Sequence, residues 1–142
     1  MALKVTKALA WVAQIDDRPG ALASCLGALA AAGANLQCVI GRRQPNKPGT
    51  GVVFVAPLKG RKVQKAAIGA GFHATAHVAT LHIEGNDKPG LGAEIARVVG
   101  AAGVNMRGLS AATIGRKFVT YLSFDSPADA TKAAAAIRRA RL

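Results

Sequence analysis

The chain carries Asp16-Asp17-Arg18-Pro19-Gly20 and, in the second half, Asn86-Asp87-Lys88-Pro89-Gly90. Each places a carboxylate and then a cation before a Pro-Gly pair. The protein has seven acidic residues against 19 Lys and Arg, for a net charge of +12. Asp16, Asp17, Glu84, Asp87 and Glu94 are most of those acids, and all fall at or beside these two motifs. On a basic chain, such a skew suits local recognition of a cation. If each Pro-Gly opens a helix, the first-turn backbone N–H groups and the positive end of the helix dipole suit an anion at the same place. Gly20 and Gly90 lack the Cβ that would hold a ligand off the backbone. A molecule bearing both signs, such as an amino acid, matches this chemistry. Asn35 and Asn105, further along each copy, can both donate and accept hydrogen bonds.

A plainer reading stands beside this one. Asp17 and Asp87 precede a helix and can simply cap it or complement its dipole, which is worth ~1 kcal/mol. Asn35 and Asn105 follow Gly33 and Gly103 and can serve turn geometry. The two glycines are expected to be helix stops and nothing more.

The motifs recur because a longer segment does. Residues 16–36 and 86–106 align without a gap, sharing Asp17/Asp87, Pro19/Pro89, Gly20/Gly90, Ala23/Ala93, Ala31/Ala101, Ala32/Ala102, Gly33/Gly103 and Asn35/Asn105. Around this repeat the periodicity predicts the same elements twice. First strands are expected over 9–15 and 79–85, with Leu81 and Ile83 on one face and Thr80, His82 and Glu84 on the other. Helices follow with Pro in the first turn, where its missing N–H costs nothing. Their buried stripes are expected at Leu22, Leu26 and Leu29, and at Leu91, Ile95, Val98 and Val99. Hairpins over 35–41 with 51–57, and over 105–114 with 118–125, precede second helices near 60–70 and 127–140. Residues 72–78 supply a fourth strand to the first copy. The second copy has none, so the edge of 79–85 needs residues 2–6 or another subunit to cover it.

The order β-α-β-β-α-β is the ferredoxin-like pattern, an α+β fold with a four-stranded antiparallel sheet and two helices on one face. Two units are expected, over 1–78 and 79–142, the second lacking its last strand.

With "DRPGAL" and "DKPGLG" at the strand-to-helix junctions, and "AAGANL" and "AAGVNM" at the helix-to-strand junctions, the chain resembles the ACT domains. These are small ferredoxin-like modules that bind amino acids and regulate metabolic enzymes or transcription, and the resemblance covers the chain twice. It implies that ligand binds where two modules associate. Asp16, Asp17, Arg18, Pro19, Gly20, Ala21 and Leu22 would form one wall with Asn105, and Asn86, Asp87, Lys88, Pro89, Gly90, Leu91 and Gly92 the other with Asn35. In a homodimer the pairing can instead be like with like. Serine-binding members carry a His two residues before an Asn here; the matching places hold Ile15 with Asp17 and Gly85 with Asp87.

Other chemistry finds little support. The early apolar run, residues 8–13, is too short for a signal-peptide core, and no stretch is long enough to cross a bilayer, so a cytoplasmic protein without a membrane partner is expected. Cys25 and Cys38 have no disulfide or metal spacing and read as small buried hydrophobes. His73, His77 and His82 share a strand parity without a thiol or carboxylate to complete a metal set, and read as exposed strand residues. No nucleophile-base pair, phosphate loop or cofactor motif is found, so neither an enzyme nor a cofactor is expected. RNA-recognition modules share this fold but need aromatics on the open sheet face. With aromatics at only 4%, nucleic acid is not the expected partner. The basic groups at Arg42, Arg43 and Lys47, at Lys59, Arg61, Lys62 and Lys65, and at Arg138, Arg139 and Arg141 read as a solvated surface. Docking onto an acidic protein, a regulated enzyme or a nucleic-acid backbone is the alternative. The functional expectation is an amino-acid-sensing regulatory protein that forms a homodimer.

Overall fold

Alternation of apolar and polar residues favours strands, as in β-forming stretches such as 79–84, and eight strands form among the described residues. The computed structural model describes residues 2–75 and 79–142. In chain order the elements are β1 (Lys4–Ala8), β2 (Trp11–Asp16), α1 (Ala21–Ala31), β3 (Cys38–Arg43), β4 (Thr50–Ala56), α2 (Arg61–Gly69), β5 (His73–Ala74), β6 (Ala79–Asn86), α3 (Leu91–Ala101), β7 (Met106–Ile114), β8 (Lys117–Phe124) and α4 (Pro127–Ala140). The fold is α+β, with two antiparallel four-stranded sheets of ferredoxin-like order, β3-β4-β2-β5 and β1-β6-β8-β7. Residues 76–78 of the expected fourth strand, His77 among them, lie outside the described residues.

The chain divides into two compact units, Leu9–Thr75 and Met1–Ala8 with Ala76–Leu142. This differs from the sequence division into 1–78 and 79–142 at the N-terminus. β1 pairs antiparallel with β6, from Lys4 opposite Glu84 to Ala8 opposite Thr80, and so takes the place of the missing final strand. Val5 drops into the core beside Leu81 and Ile83, and Arg138 of α4 donates to the Val5 carbonyl at 2.9 Å.

In the unit containing β6, Leu81, Ile83, Leu122 and Phe124 face Leu91, Ile95 and Val99 of α3 and Ala130, Ala133, Ala134 and Ile137 of α4. Burying each large aliphatic side chain is worth ~1.5–3 kcal/mol. In the unit Leu9–Thr75, Trp11, Ala13, Val53 and Val55 pack against Cys25 and Leu29 of α1 and Val63 and Ala67 of α2.

The stripe expected on α3 is the buried one, but of that expected on α1 only Leu29 is fully buried. Ala21, Cys25 and Leu29 face the core, whereas Leu22 is 40% exposed and Leu26 only partly buried. Leu22 lies over Gly41 of β3, where an added Cβ would make an ordinary contact with it at 3.8 Å. Helix rotation, and not leucine spacing, decides which residues face inward.

Deleting residues 2–8 should leave β6 with an open edge and remove Val5 from its core. Amide hydrogen exchange is expected to accelerate throughout β6 and α4 while β2 and β4 keep their protection. Uniform protection after the deletion would show that β1 contributes nothing to this unit.

Candidate functional site

The two strand-to-helix junctions are built alike. From Trp11 to Ala21 and from Leu81 to Leu91 the sequence of buried, half-buried and exposed positions is the same. Both Pro-Gly pairs form a turn before the helix and not its first turn. Ala21 N–H donates to the Arg18 carbonyl at 3.3 Å, and Leu91 N–H to that of Lys88 at 3.2 Å. Gly20 has φ 85° and ψ −13°, and Gly90 has φ 80° and ψ 3°. Proline second and a left-handed glycine third make a type II turn. Pro19 and Pro89 therefore precede the N-cap, two positions ahead of the first helical position expected of each.

Both glycines are required by φ and not by crowding, since a Cβ added at Gly20 or Gly90 would meet nothing within 4 Å. Each is the N-cap of its helix, with no side chain capping. The first helical bonds run from Ser24 N–H to the Gly20 carbonyl at 2.9 Å and from Glu94 N–H to that of Gly90 at 3.0 Å. The amides of Leu22 and Ala23, and of Gly92 and Ala93, thus stand ahead of the ladder at the positive ends of two helices.

Capping is consequently not the role of Asp17 or Asp87. The Asp17 carboxylate accepts from Arg43 Nε at 2.7 Å, while its N–H donates to the Gly49 carbonyl at 3.0 Å. Asp87 uses its N–H in the same way, on the Arg116 carbonyl at 2.8 Å. Its side chain has no ion pair or hydrogen bond among the described residues. Asp16 lies 3.5 Å from Arg18 Nε, and Asn86 accepts from Lys117 Nζ at 3.3 Å. Lys88 and Pro89, like Arg18 and Pro19, are exposed.

Asn35 and Asn105 stand at the other ends of α1 and α3. Each helix has 11 residues, about 16 Å of rise, so no single unit brings its asparagine to its own junction. Gly33 and Gly103, at φ 90° and 78°, end the helices as expected. Paired bonds from Gly33 to Ala30 and Ala34 to Leu29, and from Gly103 to Gly100 and Val104 to Val99, form Schellman caps. The asparagine side chains take no part in these caps. Both are exposed.

Gly85, in the place of the serine-binders' histidine, sits beneath a side chain that would have to shift for any larger residue. Leu3 covers it, and a Cβ added there would lie 2.6 Å from the Leu3 Cδ2. Ile15, its counterpart, packs on the core of its own unit.

The remaining candidates settle as follows. Burial pushes the Cys25 thiol up, partly offset by backbone hydrogen bonds, and likewise raises Cys38. His82 is not the exposed strand residue expected. Its ring centroid is 4.9 Å from that of Tyr121, and Nε2 is 3.7 Å from Glu84 Oε2. His73 is exposed. Phe118 and Phe124 are core residues, unavailable for stacking on bases. No three metal-ligating side chains gather among the described residues, and no described helix is long and apolar enough to cross a membrane.

Asp17→Ala removes only an exposed ion pair and should change unfolding free energy by less than ~1 kcal/mol in urea titrations. Gly20→Ala forces a left-handed alanine and should cost ~1–2 kcal/mol. Equal losses in the two variants would restore a capping role to the aspartate.

No protein-family model matches this sequence, and neither does any curated protein. Solved structures do. The ligand-free regulatory subunit of aspartate kinase from Thermus thermophilus aligns with a TM-score of 0.68 at 19% identity, over 99% of this chain and 97% of that one. A Bacteroides thetaiotaomicron protein aligns with a TM-score of 0.74 at 15% identity, over 92% of this chain and 87% of its own. Aspartokinase III of E. coli, in complex with lysine and aspartate in its T-state, gives a TM-score of 0.60 at 14% identity, covering 100% of this chain but 33% of the kinase. The chain therefore shares the doubled ferredoxin-like fold of the regulatory subunits of aspartate kinase.

Proposed function

We propose that this chain is a non-catalytic regulatory protein that binds a small amino acid at its Pro-Gly junctions and passes the occupancy to a partner enzyme. The observation that supports this most is the uncapped helix start, present twice beside a carboxylate not used for capping. The ligand carboxylate docks on the amides of Leu22 and Ala23, or of Gly92 and Ala93, and the ammonium faces Asp17 or Asp87. Asp87 is the readier of the two because Asp17 must first part from Arg43. In a homodimer, Asn35 and Asn105 of the partner copy complete the sites. The fold neighbour that holds lysine and aspartate supports the ligand class, and the regulatory subunits support the role. A ligand that prefers one of two conformations shifts their population by its difference in affinity.

A second observation favours an acidic protein as the partner. Lys59, Arg61, Lys62 and Lys65 crowd the start of α2, whose first turn holds no acid. Cations at that end oppose the helix dipole, so folding alone does not favour them there.

Thermal melts of the full chain against each of the twenty amino acids test the reading. One or two should raise the midpoint by several degrees, since ligand at a hundred times its Kd adds ~2.7 kcal/mol. That rise should shrink in Asp87→Ala while the ligand-free midpoint stays put. A flat panel across all twenty would refute the proposal.

A further inference from the structure

We propose that the unit containing β6 carries a second binding groove, on the sheet face turned away from α3 and α4, for an α-amino acid with an aliphatic side chain. The inference takes its ligand class from the regulatory reading above, but its place is different and lies within one unit. Strand parity sets the lining. Core residues Leu81, Ile83 and Leu122 point to the helices, so Glu84, Asn86, Lys117 and Val119 point the other way. Lys4 pairs with Glu84 and Glu84 with Val119; Asn86 pairs with Lys117 and Lys117 with Ile114. Side chains from β1, β6, β7 and β8 thereby surround a groove of about 440 Å³ at the end of the sheet. Small-molecule sites fall in the range of ~300–1,000 Å³.

The groove offers three kinds of contact in separate places. Lys4 and Lys117 bring two ammonium groups. Lys117 is held by its 3.3 Å bond to Asn86 Oδ1, which leaves the asparagine NH₂ free to donate. These groups suit a carboxylate. Glu84 supplies the opposite charge, and its neighbour His82 is 3.7 Å away, too far to use its hydrogen-bonding capacity. That suits an ammonium. Beyond them lies an apolar wall of Val119 and Ile114, the latter 78% exposed. An aliphatic ligand side chain laid on this wall would take its bare surface out of water. A 2-oxo acid of the same shape would bring Glu84 no ammonium beyond its neighbours Lys4 and His82, and an alkylamine would bring the two lysines no carboxylate. The groove therefore selects for the zwitterion together with the branched or aliphatic side chain.

The test uses the full chain labelled with ¹⁵N and titrated with L-valine, L-leucine and L-isoleucine, and in parallel with 3-methyl-2-oxobutanoate and isobutylamine. An aliphatic amino acid should produce saturable shifts at the amides of Glu84, Asn86, Lys117 and Val119. Lys117→Gln and Glu84→Gln should each weaken it at least tenfold, and Ile114→Ser, at an exposed position, about fivefold or more. Asp17→Ala and Asp87→Ala should leave this site's affinity unchanged. Shifts confined to residues 17–24 and 87–94, and lost with those aspartates, would overturn the groove while supporting the junction reading. Shifts in the groove alone, indifferent to the aspartates, would support the groove and count against the junctions. Binding of the oxo acid as tight as that of the amino acid would overturn the zwitterion assignment.

Discussion

A strand in the middle of a sheet must have hydrogen-bonding neighbours on both sides, and this requirement organises the unit built on β6. Its inward residues, Leu81 and Ile83, are fully buried. Left open along one side, β6 would bury its side chains while exposing a row of N–H and C=O groups, an invitation to any passing strand. The chain meets the requirement with its own N-terminus. β1 covers that edge, Val5 completes the core, and Leu3 occupies the space above Gly85. The unit Leu9–Thr75 is then enclosed in sequence between two pieces of the other unit. The proposed groove depends on the same pairing, since Lys4 reaches it only because β1 lies beside β6.

The second constraint acts at the junctions. A type II turn needs positive φ at its third position, which glycine supplies without steric cost. Once Gly20 and Gly90 are fixed in this way, each helix begins one residue later, and no side chain is placed to cap it. With glycine at the N-cap the loss against a capping side chain is only about 0.3 kcal/mol, and it is tolerated twice. α4 shows what the chain does elsewhere: Ser126 caps it by accepting from the Asp129 N–H at 3.1 Å, with Pro127 in the first turn. An ordinary cap was thus available to this sequence and is absent from both junctions.

Much of the fold was legible because its signals are local or repeated. The gapless repeat predicted two units of one kind, and strict alternation in β6 identified which of its faces is buried. The stripe on α3 was legible because its β-branched and leucine residues all lie on one side. That on α1 was not, because the helix is rich in alanine and a buried Ala21 or Cys25 gives no stronger signal than an exposed Leu22. Pro-Gly misled by two positions, since the same dipeptide serves a first helical turn and a type II turn, and only backbone φ separates them. The groove was invisible for a different reason. Its lining comes from four strands spread from Lys4 to Val119, and no periodicity within one segment reports which residues stand opposite each other.

The distribution of charge links these constraints to function. A surface with many more cations than anions leaves few acids to spend, and most of them are placed where backbone amides or lysines also converge. At the junctions the donors proposed to take a ligand carboxylate are main-chain and cannot be mutated away, whereas the acids beside them can. Selectivity between one amino acid and another would consequently reside in side chains such as Arg18, Leu22 and Lys88, and the recognition of the zwitterion in the turn itself. Under the proposed function, two helices that share a turn but differ in those side chains, Ala21-Leu22 in one and Leu91-Gly92 in the other, would present one binding chemistry with two shapes. A doubled fold can in this way answer two ligands, or one ligand with two affinities, without any change to the backbone that holds them.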